Sequence, residues 1–290
     1  MSGLAELSQR LTRLTEISGI MTAMKSLSLV ETHKLTRFIG HQRCMLANIK
    51  AAATDFLTFF PVVSTAETQP AILVIIGSER GFCGNFNERV LTALADLPEA
   101  QTAPALLVVG HRLGSKLEAH NGVITRLDGP TVTEDVPTVL NRLLDTLHTV
   151  SRQLSGNGVA LFCLAHETEG EPALKSLLPL TPLNVPSLGH PPLLQLAPPD
   201  FFAELLDQYL LSALYGLLYE SLMAENRQRL AHMEHALDRL HETLDRLALK
   251  RNALRQEKIV EEIEVILSSA QAFAKTHSPG SALFPVNHDS

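Results

Sequence analysis

The most constraining feature of the chain is its C-terminal run. From Phe201 to Phe273 there is no Pro, and the only Gly is Gly216. Leu230, Met233, Leu237, Leu240, Leu244 and Leu247 step by threes and fours. That alternation averages 3.5 residues and is the a/d seam of a coiled coil. Asp200 can cap the first free backbone N–H groups, and Pro198–Pro199 are expected to stop any helix from running in upstream. At 1.5 Å per residue such a helix reaches on the order of 110 Å. A compact chain of this length has a radius of gyration of about 19 Å, so the helix is expected to project.

A projecting seam needs a partner, and the N-terminus offers one. Leu4, Leu7, Leu11 and Leu14 make the same step, and a looser stripe follows through Ile17, Met21, Met24, Leu27 or Leu29, Leu35, Phe38, Met45, Ile49 and Phe56. No Pro precedes Pro61, so this helix can reach about 85 Å. Two long helices at opposite ends of one chain pair most simply antiparallel, with the middle of the chain at one end. The expected organisation is an N-terminal coiled-coil helix over 1–60, an α/β head over 61–199, a C-terminal coiled-coil helix over 200–274 and a disordered tail over 275–290.

Composition narrows the function classes. Three cysteines (Cys44, Cys83 and Cys163) at unrelated spacings read as reduced thiols rather than a disulfide framework or a zinc site. The first residues show no cationic cluster followed by an apolar stretch, so no secretory signal is read. No 18-residue apolar run exists to span a membrane. Residues 1–50 carry seven Lys and Arg against three Asp and Glu, whereas 51–219 carry eight against seventeen. A basic helix beside an acidic middle is not the footprint of a nucleic-acid binder. It suggests that the N-terminal helix faces acidic surfaces, or is a solvated helix with ordinary charges.

The middle of the chain alternates strand and helix signals. Ala71–Ile76 is six consecutive apolar residues, a strand buried on both faces. Helices are expected over Asn87–Leu97, from Gly110 to His120 and over Thr133–Leu154, and strands over Ala105–Val109, Val123–Leu127 and Val159–Ala165. An edge strand at Leu193–Leu196 is a further expectation. The result is a small open, mostly parallel, Rossmann-like sheet with right-handed crossovers.

Chemistry-bearing motifs are few. After the first strand comes Ser78-Glu79-Arg80-Gly81-Phe82-Cys83-Gly84-Asn85-Phe86-Asn87. That position can cradle a phosphate in a doubly wound fold. Here the string holds one Gly-x-x-Gly, lacks the third glycine and is crowded by Phe82 and Phe86, which favours an apolar-stapled turn displaying Arg80. Gly110-His111-Arg112-Leu113-Gly114-Ser115-Lys116 has the wrong order for a phosphate loop. His232 and His235, with His241 and Glu242 beyond, have ligand spacing but too few partners for a metal. Glu257, Glu261, Glu262 and Glu264, interleaved with Lys258, read as a solvated helix face. No catalytic residue, cofactor or metal is therefore assigned. Val265 to Ala274 carries no charge, and an uncharged, apolar helix tip is expected to be enclosed by another protein.

These elements, in this order, resemble the gamma subunit of F-type ATP synthases. Ile20-Met21-Thr22-Ala23-Met24-Lys25 is similar to the family's Ile-Thr-Lys-Ala-Met segment. Arg80-Gly81-Phe82-Cys83-Gly84-Asn85-Phe86-Asn87 is similar to its Arg-Gly-Leu-Cys-Gly-Gly-x-Asn turn. Ala224-Glu225-Asn226-Arg227-Gln228-Arg229-Leu230-Ala231-His232-Met233 resembles its Ser-Glu-x-x-Ala-Arg-Met-x-Ala-Met stretch. Arg255-Gln256-Glu257-Lys258-Ile259-Val260-Glu261-Glu262-Ile263 resembles its Arg-Gln-x-x-Ile-Thr-x-Glu-Ile block. The chain departs from the family at Gly19, Thr22 and Glu31, where Lys is frequent, and at Asn85 and Val260. It therefore reads as a divergent member, as of an alternative sodium- or proton-linked synthase.

The resemblance implies a non-catalytic rotor shaft inside a ring of three catalytic and three non-catalytic ATPase subunits. An epsilon-type small subunit and a membrane ion-translocating ring are the other implied partners. The implied place is peripheral, on the cytoplasmic face of the cell membrane. Met21, Met24 and Lys25 would face moving loops of the catalytic subunits, and Arg80 and Cys83 would sit on a partner-facing turn. Arg255, Gln256, Glu257 and Glu261 would make polar catch contacts, with Val265, Ile266 and Phe273 in an apolar bearing. The readings set against this one are a standalone coiled-coil scaffold with an α/β head and a nucleotide-binding enzyme using the Gly81–Gly84 turn.

Overall fold

A computed structural model describes residues 2–61, 70–97, 105–118, 123–154, 159–168, 170–180 and 190–276. The chain forms two compact units: the stretch to Met21 together with the stretch from Ala236, and Thr22–His235. Helix α1 spans Ser2–Phe59 and ends two residues before Pro61, as expected of a chain approaching a proline. The last helix, α5, spans Pro198–Thr276. It starts on the two prolines instead of after them. First-turn N–H groups have no intrahelical acceptor, so proline loses nothing there, and Asp200 sits in the first turn, where the helix dipole favours a carboxylate.

Thr22–His235 contains the sheet. Strands β1 (Ala71–Ile76), β2 (Ala105–Val109), β3 (Val123–Leu127), β4 (Ala160–His166) and β5 (Pro172–Leu178) lie in the order β3-β2-β1-β4-β5. All neighbours are parallel except β5, which runs antiparallel to β4. Between the strands lie α2 (Phe86–Ala95), α3 (His111–Lys116), and a 3-10 turn at Thr133–Asp135 leading into α4 (Val136–Gln153). Along β1, Ile72, Val74 and Ile76 pack on one face with α4 and the long helices, while Leu73 and Ile75 pack on the other with Val90 of α2 and Leu113 of α3. The sheet is thus covered on both faces, which is why its central strands are apolar without alternation.

The edge strand is β5 rather than Leu193–Leu196. Pro172 is its first residue, a strand position that needs no ladder donor. Among the described residues 190–197 form no strand, and Leu193 and Leu196 are exposed. Pro191 and Pro192 just upstream carry no N–H, so no ladder could extend back from Leu193.

Helix α1 is anchored by Leu35, Ile39, Ala53 and Phe56, and α5 by Tyr209, Ala213, Leu214, Leu217, Leu218, Leu222 and Met223, all buried. Each fully buried aliphatic side chain contributes about 1.5–3 kcal/mol. An exposed ion pair contributes about 0–1 kcal/mol, so this apolar layer and not the charge pairs holds the helices on the sheet. The stripe on α1 differs from the expected one. Ser28, Glu31, Leu35, Ile39, Gln42, Leu46, Ile49, Ala53 and Phe56 turn inward, whereas Leu27, Leu29, Phe38 and Met45 are exposed. The step of threes and fours is kept, but polar residues occupy several of its positions. Following apolar letters alone therefore finds Leu35, Ile49 and Phe56 but strays off the inward face at Leu27 or Leu29, Phe38 and Met45.

In the other unit Leu4, Leu7, Leu11, Leu14 and Ser18 of α1 are covered or half-covered, and Ile17 is exposed. The facing row on α5 is Leu237, Leu240, Leu244 and Leu247, continued by Arg251 and Leu254. Ser18 Oγ lies 3.2 Å from His241 Nε2 across this pair. After Leu254 every described side chain through Ala270 is exposed.

Candidate partner interface

The turn Arg80–Asn87 is built from both ends. Asn87 Oδ1 accepts the Ser78 N–H (3.0 Å) and its Nδ2 donates to Ser78 Oγ (2.7 Å), tying the end of β1 to the start of α2. Gly84 takes φ +58°, a value suited to glycine, but Phe82 takes φ 64° with its ring largely exposed. Arg80 is exposed, as expected. Cys83 is buried at 4% exposure, its thiol donating to the Arg80 carbonyl (3.6 Å) and pushed up in pKa by burial. Its side chain is thus covered by the chain itself and does not form part of an outward surface.

The donors of this turn are answered from α5. Glu225, buried, accepts the backbone N–H groups of Glu79 and Arg80 (3.4 Å each) and pairs with buried Arg229. Arg229 Nε donates to the Gly81 carbonyl (3.2 Å) and Nη1 to Asn226 Oδ1 (3.2 Å). Gln228 Nε2 donates to Asn85 Oδ1 (3.2 Å). Burial pushes the Glu225 carboxyl above its ordinary range against the pull of Arg229. A phosphate cradle would present those N–H groups to a ligand. Here a carboxylate of the same chain fills that position, which removes the basis for a nucleotide site in this turn.

On α1, Met21 and Met24 are half-buried. Lys25 is half-buried too, its Nζ donating to Glu234 at 2.7 Å and holding that carboxyl below its usual range. Beside them Ile20 (62%), Leu27 (63%) and Val30 (51%) are exposed. Reading the seam by polarity offered Leu27 as an inward residue and passed over Ile20 and Val30, although three apolar side chains spaced by seven and three were a visible signal. Glu31 is not part of an outward face. Burial raises its pKa, but hydrogen bonds from the Thr133 N–H (2.9 Å) and hydroxyl (2.8 Å) and from Lys34 (2.9 Å) outweigh this and leave the carboxyl below its ordinary value.

On α5, Arg255, Gln256, Glu257 and Glu261 are all exposed. So are Ile259, Val260, Ile263, Val265 (69%), Ile266 (65%) and Leu267. Phe273 lies within α5, and its side chain is outside the described residues. This helical segment combines a charged stretch at 255–264 with six outward aliphatic side chains.

No metal-binding group of His, Cys, Asp and Glu occurs among the described residues, and His232 and His235 are exposed. Among the described residues the buried histidine is His166, stacked on Phe86 (4.0 Å between centroids) with Nε2 3.0 Å from the Phe86 carbonyl; burial lowers its pKa. Nothing in its sequence neighbourhood distinguished it from the eleven others.

Residues 3–273 match the family model described as ATP synthase. The ATP synthase gamma chain of Rubrobacter xylanophilus is 26% identical over 298 residues, covering 94% of this chain and 99% of that one. A chain in the mitochondrial ATP synthase of Euglena gracilis (OSCP/F1/c-ring, rotational state 3) superposes with a TM-score of 0.61 at 14% identity, covering 98% of this chain and 99% of its own. A chain of the rotor of the same synthase in rotational state 1 gives 0.59 at 13%, covering 88% and 98%. The fold is therefore shared along almost the whole chain. Among the described residues no helix is long and apolar enough to cross a membrane.

Proposed function

The chain belongs to the ATP synthase gamma-chain family, and on that premise we propose how its residues serve the central rotor shaft. The shaft couples ion passage through a membrane ring to conformational change in catalytic subunits, and is itself non-catalytic. In our reading α1 and α5 wind as an antiparallel two-helix coiled coil within a ring of three catalytic and three non-catalytic subunits. An epsilon-type subunit and the ion-translocating ring complete the partners, on the cytoplasmic face of the cell membrane. The parts are the helix α1, the α/β domain that follows it and the helix α5; the disordered tail expected over 275–290 lies, beyond Thr276, outside the described residues.

The physics needs no reacting group. A rod that meets chemically identical neighbours differently acts as a ligand with differential affinity for their states, and only that difference shifts their equilibrium. Each ion contributes about 2.3 kcal/mol per charge per 100 mV, so several must be pooled and transmitted mechanically. A knobs-into-holes seam resists twisting because rotation would withdraw the knobs along its whole length. Arg255, Gln256, Glu257 and Glu261 serve as polar catches, and Val265, Ile266 and Phe273 as an apolar bearing. A bearing of this kind has no salt bridge to break at each turn. Met21 and Met24 offer adaptable surface to successive partners, with Lys25 and Arg80 supplying charge at the contact. Cys83 contributes by supporting the turn that carries Arg80.

The observation that carries this assignment is the row of aliphatic side chains on α5 from Ile259 to Leu267, 46–69% exposed on a helix with no membrane-spanning character. Exposed apolar surface of this extent marks a protein contact. Replacing Val265 and Ile266 together with Asp is expected to lower assembly with the catalytic subunits and coupled ATP hydrolysis severalfold. Wild-type assembly and hydrolysis in that variant would sink the enclosed-tip reading.

A further inference from the structure

Within Thr22–His235 a half-open cavity of about 330 Å³ is walled by α1, β5 and α5. Its volume is at the lower end of the range for small-molecule sites, about 300–1,000 Å³. Leu46 of α1, Leu177 of β5 and Ala213 and Leu217 of α5 give it an apolar lining. Its charged lining is Arg43, Lys50 and Lys175 against the carboxylate of Glu220. Two polar groups of this lining are left without an internal partner. Tyr209 is 3% exposed, yet its hydroxyl makes no hydrogen bond among the described residues. Among those residues no fully buried side-chain oxygen or nitrogen lacks a partner, so this hydroxyl opens onto the cavity that Tyr209 lines. Lys50 is half-buried and has no carboxylate within ion-pair distance among the described residues. Arg43 and Lys175, by contrast, are both bound to Glu220, and Asp207 lines a different cavity, against α4. Phe38 stacks on Tyr219 and Phe56 on Phe202, which sets the antiparallel pairing of the two helices here. Interpolating between these pairs brings Lys50 level with residues 207–208, within a turn of Tyr209.

We propose that this cavity is a binding site for a small organic anion, a carboxylate carried on a hydrocarbon body. The body lies on Leu46, Ala213 and Leu217, and the carboxylate accepts hydrogen bonds from Lys50 Nζ and the Tyr209 hydroxyl. An apolar pocket with a few convergent polar groups is the usual form of such a site. Both donors are available at no internal cost, because neither has to leave a partner within the chain. The ion pairs to Glu220 remain as they are and close the other end of the cavity. Charge then selects among ligands of one shape. With three cations lining it against one carboxylate, the cavity disfavours an amine on the same body. This inference concerns a site within one chain and does not depend on what the shaft touches.

The test uses the full chain and 1-naphthoate, whose fluorescence is read without an indole background because the chain contains no Trp. Its anisotropy is expected to saturate at one equivalent with a Kd below about 1 mM. The same ring carrying a positive charge, 1-naphthylmethylammonium, should bind at least about tenfold more weakly. Lys50→Met should weaken naphthoate binding about tenfold and Tyr209→Phe severalfold, since hydrogen bonds to a charged group are the stronger kind. Tyr209→Phe removes a hydroxyl without an internal partner, so its urea midpoint should match the parent's. A ligand that binds only the folded chain raises that midpoint, and naphthoate should raise it more in the parent than in Lys50→Met. Absence of saturable binding, or equal affinity for the two probes, would overturn the proposal. So would unchanged naphthoate binding in either variant, which would place the probe elsewhere on the chain. A lowered midpoint in Tyr209→Phe would overturn it as well, because the hydroxyl would then be serving the fold. Should Lys50→Met not fold, Tyr209→Phe decides by the same two readings.

Discussion

Replacing Arg229 with Leu should be among the most damaging single changes available outside the sheet. Arg229 is 5% exposed and its partner Glu225 4%. The substitution removes the ion pair and the hydrogen bonds to the Gly81 carbonyl and to Asn226. It leaves a buried carboxylate held only by the long contacts from the Glu79 and Arg80 N–H groups. Breaking one side of such a pair costs about 3–5 kcal/mol, whereas replacing both members by uncharged residues of similar volume costs far less. For a unit of this size about 2–4 °C of melting temperature accompanies each kcal/mol, giving a drop of roughly 6–20 °C. Urea unfolding followed by circular dichroism measures this directly, with Glu225→Gln/Arg229→Met expected to recover most of the loss. The pH dependence has a definite sign. Without Arg229 the folded-state pKa of Glu225, already raised by burial, rises further above its unfolded value. The folded variant then binds a proton more readily than the unfolded chain, and its deficit narrows as pH falls toward that raised pKa. A loss below about 1 kcal/mol, well under the cost of an unpaired buried charge, would refute the reasoning. So would a double variant weaker than the single one.

Two further outcomes follow from local geometry. Gly216 interrupts α5, and a Cβ built there meets only Gln42 Cγ at 3.8 Å, an ordinary contact. Gly216→Ala should therefore stabilise the chain by up to about 1 kcal/mol through helix propensity, read as a higher urea midpoint; a lower midpoint would mean the site is more crowded than it looks. Of the three cysteines, Cys44 is exposed, Cys83 is buried with a raised pKa, and Cys163 is fully buried with its thiol pushed up to about 12. A thiol reagent at neutral pH should titrate one group in the native chain and three in urea, since reactivity follows the accessible thiolate; three fast equivalents without urea would contradict this.

How much of this could be read in advance differs from element to element. The two long helices follow from runs without proline, and the parallel strands from unbroken apolar stretches such as Ala71–Ile76. Both signals are local, because backbone periodicity and side-chain burial repeat along the chain itself. The exposed charged and aliphatic residues at 255–267 were visible for the same reason. The strand Pro172–Leu178 was not, since it is poor in β-branched residues and becomes a strand only because β4 offers an unpaired edge.

The sequence by itself therefore determined the kinds of element, their order, and the presence of an outward apolar stretch on the last helix. Tertiary structure decided which face of α1 turns inward, placing Ser28, Glu31 and Gln42 there and Leu27 and Phe38 outside. It also decided that Glu225 and Arg229, some 145 residues downstream, complete the turn after β1. The physical reason is the same in both cases. A polar group can be buried only where partners from distant segments satisfy it, and no local pattern records which distant segment will supply them.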